Sequence, residues 1–214
     1  GTNNVALGDT ALDSVEASGI DNTAIGSNAG TAINSGDRNT AVGSCSLDAN
    51  TTGSNNTAIG QLALSTNTTA DNNTAIGRAS LFTNETGASN TALGSNALNK
   101  NTTASDNTGI GRSALACNTT ASSNTAVGSC SMILNTTGAT NTAVGQLTMC
   151  ANTTGTSNTA VGRLALAKNT TGDFNVAMGE QALRCTTTAD NNTAIGYCSL
   201  RSNTTGYENI GIGR

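Results

Sequence analysis

Residues 56–72, Asn-Thr-Ala-Ile-Gly-Gln-Leu-Ala-Leu-Ser-Thr-Asn-Thr-Thr-Ala-Asp-Asn, are one copy of a phrase that fills the whole chain. The glycine of this copy, Gly60, recurs every seventeen residues from Gly26 to Gly213, and Gly8 precedes Gly26 by eighteen. A repeat this short cannot bury a core alone, so successive copies must stack on one another. The sequence therefore predicts an all-β solenoid, or β-roll, of about thirteen 17-residue turns with parallel stacked strands over a single repetitive segment, residues 1–214.

The composition narrows the classes of function. The chain has no Pro, His or Trp and only two Phe and two Tyr, so the large side chains of an ordinary globular core are missing. Nine basic and thirteen acidic residues are spread without runs, which argues against a nucleic-acid partner. No apolar run approaches eighteen residues, so we expect no membrane insertion. Both ends fall in mid-phrase, and we expect a fragment of a longer fibre.

Four residue types recur at fixed positions when the repeating glycine is counted as position 0. Aliphatic residues hold position −1 and β-branched residues hold position −3, which predicts a short strand from −3 to −1. Leu or Met holds position +4 in every turn except that of Gly30, and Asn holds position −4 in every turn. The predicted structural ladders include Asn22, Asn39, Asn56 and Asn73; Ile25, Val42, Ile59 and Ile76; Gly26, Gly43, Gly60 and Gly77; and Leu47, Leu64, Leu81 and Leu98.

The rest of the turn suggests where chains could meet. Glycine and Asn-Thr-Thr clusters interrupt every helical run, so we expect two short strands and two corners per turn. Position −2 is always Ala or Gly, and such a restriction means that another backbone approaches closely. We interpret this small-residue face as the packing surface of a homo-oligomer, with the interior of a single thin coil as the alternative.

A second column of Asn at position +7 opens an Asn-Thr-Thr triplet in most turns, as at Asn67. We interpret both Asn columns as corner residues that form amide ladders. The triplets are also acceptor sequences for N-glycosylation. Glycans one strand spacing apart would crowd one another, so we interpret these sequences as accidents of the corner motif.

Six cysteines are distributed over three positions of the repeat. Cys45, Cys130 and Cys198 lie at +2, Cys117 and Cys185 at +6, and Cys150 at +5. No C-x-x-C spacing occurs, which argues against a zinc site. Positions +2 and +6 would be roughly 13 Å apart in an extended strand, too far for a disulfide. We therefore predict free thiols and no metal.

The chain offers no catalytic constellation. Without His, the usual base for a Ser or Cys nucleophile is absent, and the carboxylates occupy scattered positions of the repeat. We therefore expect no enzyme and no cofactor. The column of Thr at −3 raises the alternative of a repetitive binding face that takes ice or a glycan, although Val5, Val176 and Ile210 interrupt it.

The phrase N-T-A-I-G-x-x-A-L-x-x-N-T-T-G resembles the repeats of phage tail fibres and of fibrous adhesins. Asn-Val-Ala-Met-Gly at 175–179 is similar to the S-V-A-I-G phrase of trimeric autotransporter adhesin heads, whose repeats are usually shorter. The resemblance implies a homotrimeric, parallel, left-handed β-roll on a virion or cell surface, with a cell-surface receptor or glycan as partner. The function expected from it is that of a structural shaft or adhesive segment.

Overall fold

The computed structural model describes residues 3–14 and 19–214 and contains thirteen strands, one for each repeat. All strand pairs are parallel and the described residues include no helix, which confirms the predicted all-β solenoid. The eighteen-residue first interval contains residues 15–18, which lie outside the described residues. The strands are β1 (Val5–Leu7), β2 (Thr23–Ile25), β3 (Thr40–Val42), β4 (Thr57–Ile59), β5 (Thr74–Ile76), β6 (Thr91–Leu93), β7 (Thr108–Ile110), β8 (Thr125–Val127), β9 (Thr142–Val144), β10 (Thr159–Val161), β11 (Val176–Met178), β12 (Thr193–Ile195) and β13 (Ile210–Ile212).

The chain divides into two compact units, 1–106 with β1 to β6 and 107–214 with β7 to β13. Within the first unit, Ile25 pairs with Val42 and Val42 with Ile59, the register that the sequence predicts. Within the second unit, each strand from β7 to β13 pairs with the next at the same repeat position. Each strand covers positions −3 to −1, as the alternation of residue types predicts.

The second predicted strand is wrong, because each turn has one strand only among the described residues. Positions −5, +2 and +4 instead have left-handed backbone, as at Asn55, Leu62 and Leu64 with φ of 59°, 59° and 52°. The backbone N–H of Leu62 donates to Ser44 O at 3.0 Å, and that of Leu64 donates to Ser80 O at 3.0 Å. Hydrogen bonds between turns therefore continue around the corners, where no regular strand forms.

Left-handed backbone explains the choice of Leu and Met at position +4. The φ of these residues lies between 47° and 52°, a region that is a genuine outlier for β-branched side chains. Leu and Met carry no branch at Cβ, and they can still fill the core from this conformation. Leu47, Leu64, Leu81 and Leu98 are all fully buried in the first unit.

Glycine is required at position 0 by its own backbone conformation and by the close approach of the next turn. Gly60 has a φ of 130°, where L side chains are rarely found, and a Cβ there would lie 2.7 Å from the carbonyl carbon of Gly77. The next turn therefore passes directly over the glycine. A side chain at position 0 would separate two turns that are joined by backbone hydrogen bonds.

The core of each unit consists of Ala, Leu or Met and Asn, stacked in columns. One turn departs from this plan through two exchanges that offset one another. Gly30 occupies the +4 position of Leu, while Ile33 occupies the +7 position of Asn and is 1% exposed. A Cβ on Gly30 would lie 2.9 Å from Ile33 Cδ1 and 3.2 Å from Leu12 Cδ2. The volume lost at Gly30 is thus filled by the larger residue three positions later.

Candidate functional site

The small-residue face lies inside the single chain, so its assignment to contacts between chains is wrong. Ala24, Ala41 and Ala58 in the first unit and Ala143 in the second are fully buried. Ser131 Oγ donates to Ala143 O at 3.2 Å, so positions +3 and −2 face one another across the coil. The coil is too thin for a larger residue at −2, and the alternative interpretation, a coil interior, is the one that the structure confirms.

The other face of each strand points outward and carries positions −3 and −1. Thr57 is half-buried, and Ile25 and Ile59 are each 38% exposed. In the second unit, Met178 and Ile195 are exposed to a similar extent. We call this outward row of Thr and aliphatic side chains the strand face. It forms a regular apolar surface because parallel strands in register place equivalent side chains about 4.8 Å apart.

The Asn at −4 holds successive turns together from inside. Asn39 Oδ1 accepts the backbone N–H of Asn56 at 3.0 Å, and Asn56 Nδ2 donates to Ala70 O at 2.8 Å. The same arrangement recurs at Asn22 and Asn73, and all four side chains are buried. Every turn therefore satisfies the backbone of its neighbour through an amide, which is the corner role that the sequence predicts.

The Asn at +7 form a second amide ladder with direct side-chain contacts. Asn152 Nδ2 donates to Asn135 Oδ1 at 2.8 Å, and Asn169 Nδ2 donates to Asn152 Oδ1 at 2.8 Å. The next residue in the column is Thr186, which has no amide to continue the ladder. Asn169 Oδ1 is consequently buried without a hydrogen-bond partner.

The same ladder blocks the glycosylation sequences in the folded chain. Asn67 is fully buried, and its Nδ2 donates to Asn50 Oδ1 at 2.8 Å and to Ala70 O at 3.0 Å. Both amide protons are therefore used, and the nitrogen that a glycan would join has no access to solvent. These Asn-Thr-Thr triplets are corner elements of the fold.

All six cysteines are free thiols and half-buried, which confirms the prediction of unbridged Cys117, Cys130, Cys185 and Cys198. Burial raises the pKa of the Cys150 thiol above its ordinary value of 9.0, because desolvation disfavours the thiolate. Its Sγ donates to Ala167 O at 3.4 Å. The thiols act as small side chains between turns.

Charged groups are dispersed over the described surface. Arg163 and Glu180 form the one ion pair found among the described residues, with an N–O distance of 3.1 Å, and both side chains are about half exposed. Within residues 3–14 and 19–214, no three His, Cys, Asp or Glu side chains are grouped to hold a metal ion, and no pocket is found. The described part of the chain also contains no helix long and apolar enough to cross a bilayer.

Two exposed aromatic side chains that the sequence analysis did not identify lie at one corner of the second unit. Phe174, at −5, is 60% exposed, and Tyr207, two turns further along at the adjacent position, is 69% exposed. The signal was present in the sequence, because every other residue at −5 is polar or charged. Tyr197, at +1, is also exposed and stacks against Arg214 at 5.6 Å from its ring centroid.

Comparison with protein-family models and with curated proteins gives no match to this chain.

Proposed function

We propose that this chain is a structural shaft or adhesive segment of a viral tail fibre or surface fibre, and that it assembles with copies of itself through the strand face. The observation that carries the proposal is the outward column of aliphatic side chains at −1, which the single chain leaves partly exposed in both units. Contiguous exposed apolar surface commonly marks a site of interaction. The proposed role is mechanical and adhesive.

A second copy of the chain is the partner that suits this surface best. The side chains of the strand face repeat at the strand spacing of about 4.8 Å, and another copy has the same spacing at every turn. Leu93 is 43% exposed and Ile195 39% exposed, so each unit brings large apolar groups to such a contact. The threonine methyl groups beside them extend the apolar area, while their hydroxyls can donate and accept hydrogen bonds.

Three copies are the proposed number, since the repeats resemble those of trimeric fibres. The alanine column is buried and cannot form the interface, so we place the interface on the strand face and keep the trimer as the proposed oligomer. A virion or cell surface is the proposed location, with a receptor or glycan as the target of the assembled fibre.

Sedimentation equilibrium of the whole chain tests the assembly. We expect a species of three times the 21.1 kDa chain mass. Val127→Lys combined with Val161→Lys places charge on the strand face, and we expect this variant to dissociate while its circular dichroism stays unchanged. Gln146→Lys, on an exposed +1 position outside the strand face, is the matched control. A folded monomer of the unmodified chain would refute assembly through this face.

Ice binding is a second candidate, and the outward Thr column favours it. Thr108, Thr125, Thr142 and Thr159 follow one another on the strand face of the second unit, each half-buried and in register. A flat array of hydroxyl and methyl groups at constant spacing can order water. Assembly would cover this same face, so the two functions exclude each other.

Thermal hysteresis and ice recrystallisation separate the two candidates. If the chain sediments as a monomer and shifts the growth of ice, and if Thr125→Tyr with Thr142→Tyr removes the effect, the strand face binds ice. A trimer without hysteresis eliminates that candidate.

A further inference from the structure

One corner of the second unit carries exposed aromatic and acidic side chains that the proposed assembly does not use. Positions −6 and −5 of successive turns adjoin there, because the N–H of Asn191 donates to Asp173 O at 3.1 Å and that of Glu208 donates to Asp190 O at 3.2 Å. These bonds place Phe174 and Tyr207 two turns apart. The corner precedes the strand and is separate from the strand face.

Position −5 has left-handed backbone in every turn, so the conformation of Phe174 belongs to the fold, but the fold does not explain why an aromatic residue is there. Its φ is 55°, in the left-handed region that bulky residues avoid, and its ring is 60% exposed. An aromatic ring in this position gains no burial to offset the unfavourable backbone. A bulky exposed side chain that the fold does not require at such a position is a candidate for a functional role. The other residues of this column are polar or charged: Asn3, Asp21, Arg38, Asn55, Asn72, Ser89, Asp106, Ser123, Thr140, Ser157, Asn191 and Glu208.

Tyr207 supplies a second exposed ring at a distance that suits an extended ligand. It is 69% exposed and lies roughly 10 Å along the stack from Phe174, as two strand spacings require. Asp190 and Asn191 occupy the turn between the two rings. Two exposed rings on one corner offer two packing surfaces to a single extended ligand.

The polar groups between the rings are held in place by the backbone. Asp190 Oδ1 accepts the N–H of Asp173 at 2.8 Å, and Asp173 Oδ1 accepts the N–H of Thr156 at 2.6 Å. Each carboxylate is thereby oriented through one oxygen, and its second oxygen has no hydrogen bond from these backbone groups. Asn191 is exposed beside them and adds an amide that can both donate and accept.

We propose that Phe174, Asp190, Asn191 and Tyr207 form a binding site for a neutral oligosaccharide. The aromatic faces pack against the C–H faces of two pyranose rings, and the carboxylate and amide between them bind sugar hydroxyls. The negative charge of Asp173, Asp190 and Glu208 disfavours sulfated and uronic acid glycans. The site does not depend on the proposed assembly, because none of its residues belongs to the strand face.

Aromatic NMR of the full chain tests this site with internal controls. The chain has four Phe and Tyr residues, so each ring signal can be followed separately. The probes are cellohexaose, maltohexaose and mannohexaose, each at up to about 10 mM, ten times a millimolar Kd. We expect at least one hexaose to shift the signals of Phe174 and Tyr207, with Phe82 and Tyr197 unchanged.

Two variants give the repeat its usual residues at this corner. Phe174→Asn introduces the residue of positions 55, 72 and 191, and Tyr207→Ser introduces that of positions 54, 105 and 122. Each variant should weaken binding about tenfold or more. Tyr197→Ser, which introduces the residue found at +1 in positions 27, 44, 95 and 129, is the matched control and should bind normally.

Thermal unfolding distinguishes a variant that has lost the binding site from one that has lost the fold. Asn tolerates left-handed backbone better than Phe, so Phe174→Asn should unfold at the same or a higher temperature while binding is lost. The proposal is overturned if no hexaose moves the Phe174 signal, if all four rings shift alike, or if only a sulfated or uronic acid oligosaccharide binds. Sedimentation of Phe174→Asn should match that of the unmodified chain, so this site and the strand-face assembly can fail independently.

Discussion

Replacing Thr186 with Asn should stabilise the second unit, because it repairs the interrupted amide ladder. Thr186 is fully buried, and its backbone N–H donates to Leu183 O at 3.2 Å, as that of Asn152 donates to Met149 O at 3.1 Å. An Asn at 186 can therefore adopt the conformation of the other ladder residues. Its Nδ2 would donate to Asn169 Oδ1, the buried acceptor that has no partner.

The size of the effect follows from the hydrogen bonds gained and lost. A buried unsatisfied polar group costs about 1–3 kcal/mol, and a typical intramolecular hydrogen bond contributes about 0.5–1.5 kcal/mol. Asn203 Nδ2 now donates to Gly206 O at 2.7 Å, and its other contact is Asn192 Oδ1 at 3.4 Å, so the new Oδ1 would accept its second proton. The bond from Thr186 Oγ1 to Asn203 O, 3.1 Å long, would be lost. We expect a net gain of about 1–2 kcal/mol in the free energy of unfolding.

Urea denaturation of the whole chain, followed by circular dichroism, measures this difference. Thr187→Asn is the matched control, since position 187 lies at +8 outside the ladder, and it should give no gain. Asn152→Thr, which makes the same gap in an intact part of the ladder, should lose about 1–3 kcal/mol. If Thr186→Asn is neutral or destabilising while Asn152→Thr is costly, the reasoning is refuted, because the gap at 186 is then already satisfied in another way.

Four further substitutions test the remaining features of the turn. Gly60→Ala should destabilise the first unit by at least about 1–3 kcal/mol in urea denaturation, because the new Cβ would meet the carbonyl of the next turn. Leu115→Ile keeps the side-chain volume but places a branched Cβ on left-handed backbone. It should therefore cost more than about 1.5 kcal/mol, the usual limit for volume-conserving exchanges. A smaller loss in the same assay would contradict the conformational argument. Ala143→Glu should unfold the second unit rather than merely dissociate an oligomer, since position 143 is fully buried in one chain, and circular dichroism with sedimentation distinguishes the two outcomes. The raised pKa of Cys150 means that the folded chain binds this proton more tightly than the unfolded chain, so its stabilising contribution is complete below pH 9.0 and is lost as the pH rises through the folded-state pKa. Cys150→Ala should therefore reduce the fall in stability that urea denaturation measures as the pH rises above 9.0.

The period and the strands could be predicted from the sequence because both depend on local alternation. Thr57 and Ile59 alternate with Ala58, and the structure places the strand at those three residues. The alternation shows that the two faces differ, but it does not show which face is inside. In an ordinary core the larger residue would be buried, whereas here the coil is so thin that only alanine fits opposite Leu64 and its equivalents. Which face of the strand is buried depends on the width of the coil, and no local sequence pattern indicates that width.

The corner conformations were missed for a different reason. Leu at +4 is compatible with a strand, but neither Val nor Ile ever occupies this position. The absence of β-branched residues indicates a left-handed backbone. Glycine is not needed there, because Leu has no branch at Cβ. Phe174 was missed for the same reason. It is the one aromatic residue at position −5, and this is visible only when the residues at that position are compared between turns.

The spacing of the inter-turn hydrogen bonds has a consequence for how the chain acquires its structure. The side-chain bonds in the Asn ladders join residues that are no more than about one turn apart in sequence, as between Asn135 and Asn152. Contacts of such short sequence separation need little loop closure, which favours rapid folding. A turn can therefore add to its predecessor as soon as about seventeen more residues leave the ribosome, and growth can start at any pair of turns within a unit. During synthesis the earlier turns of a unit are available first, so growth of the solenoid can follow the polypeptide one turn at a time.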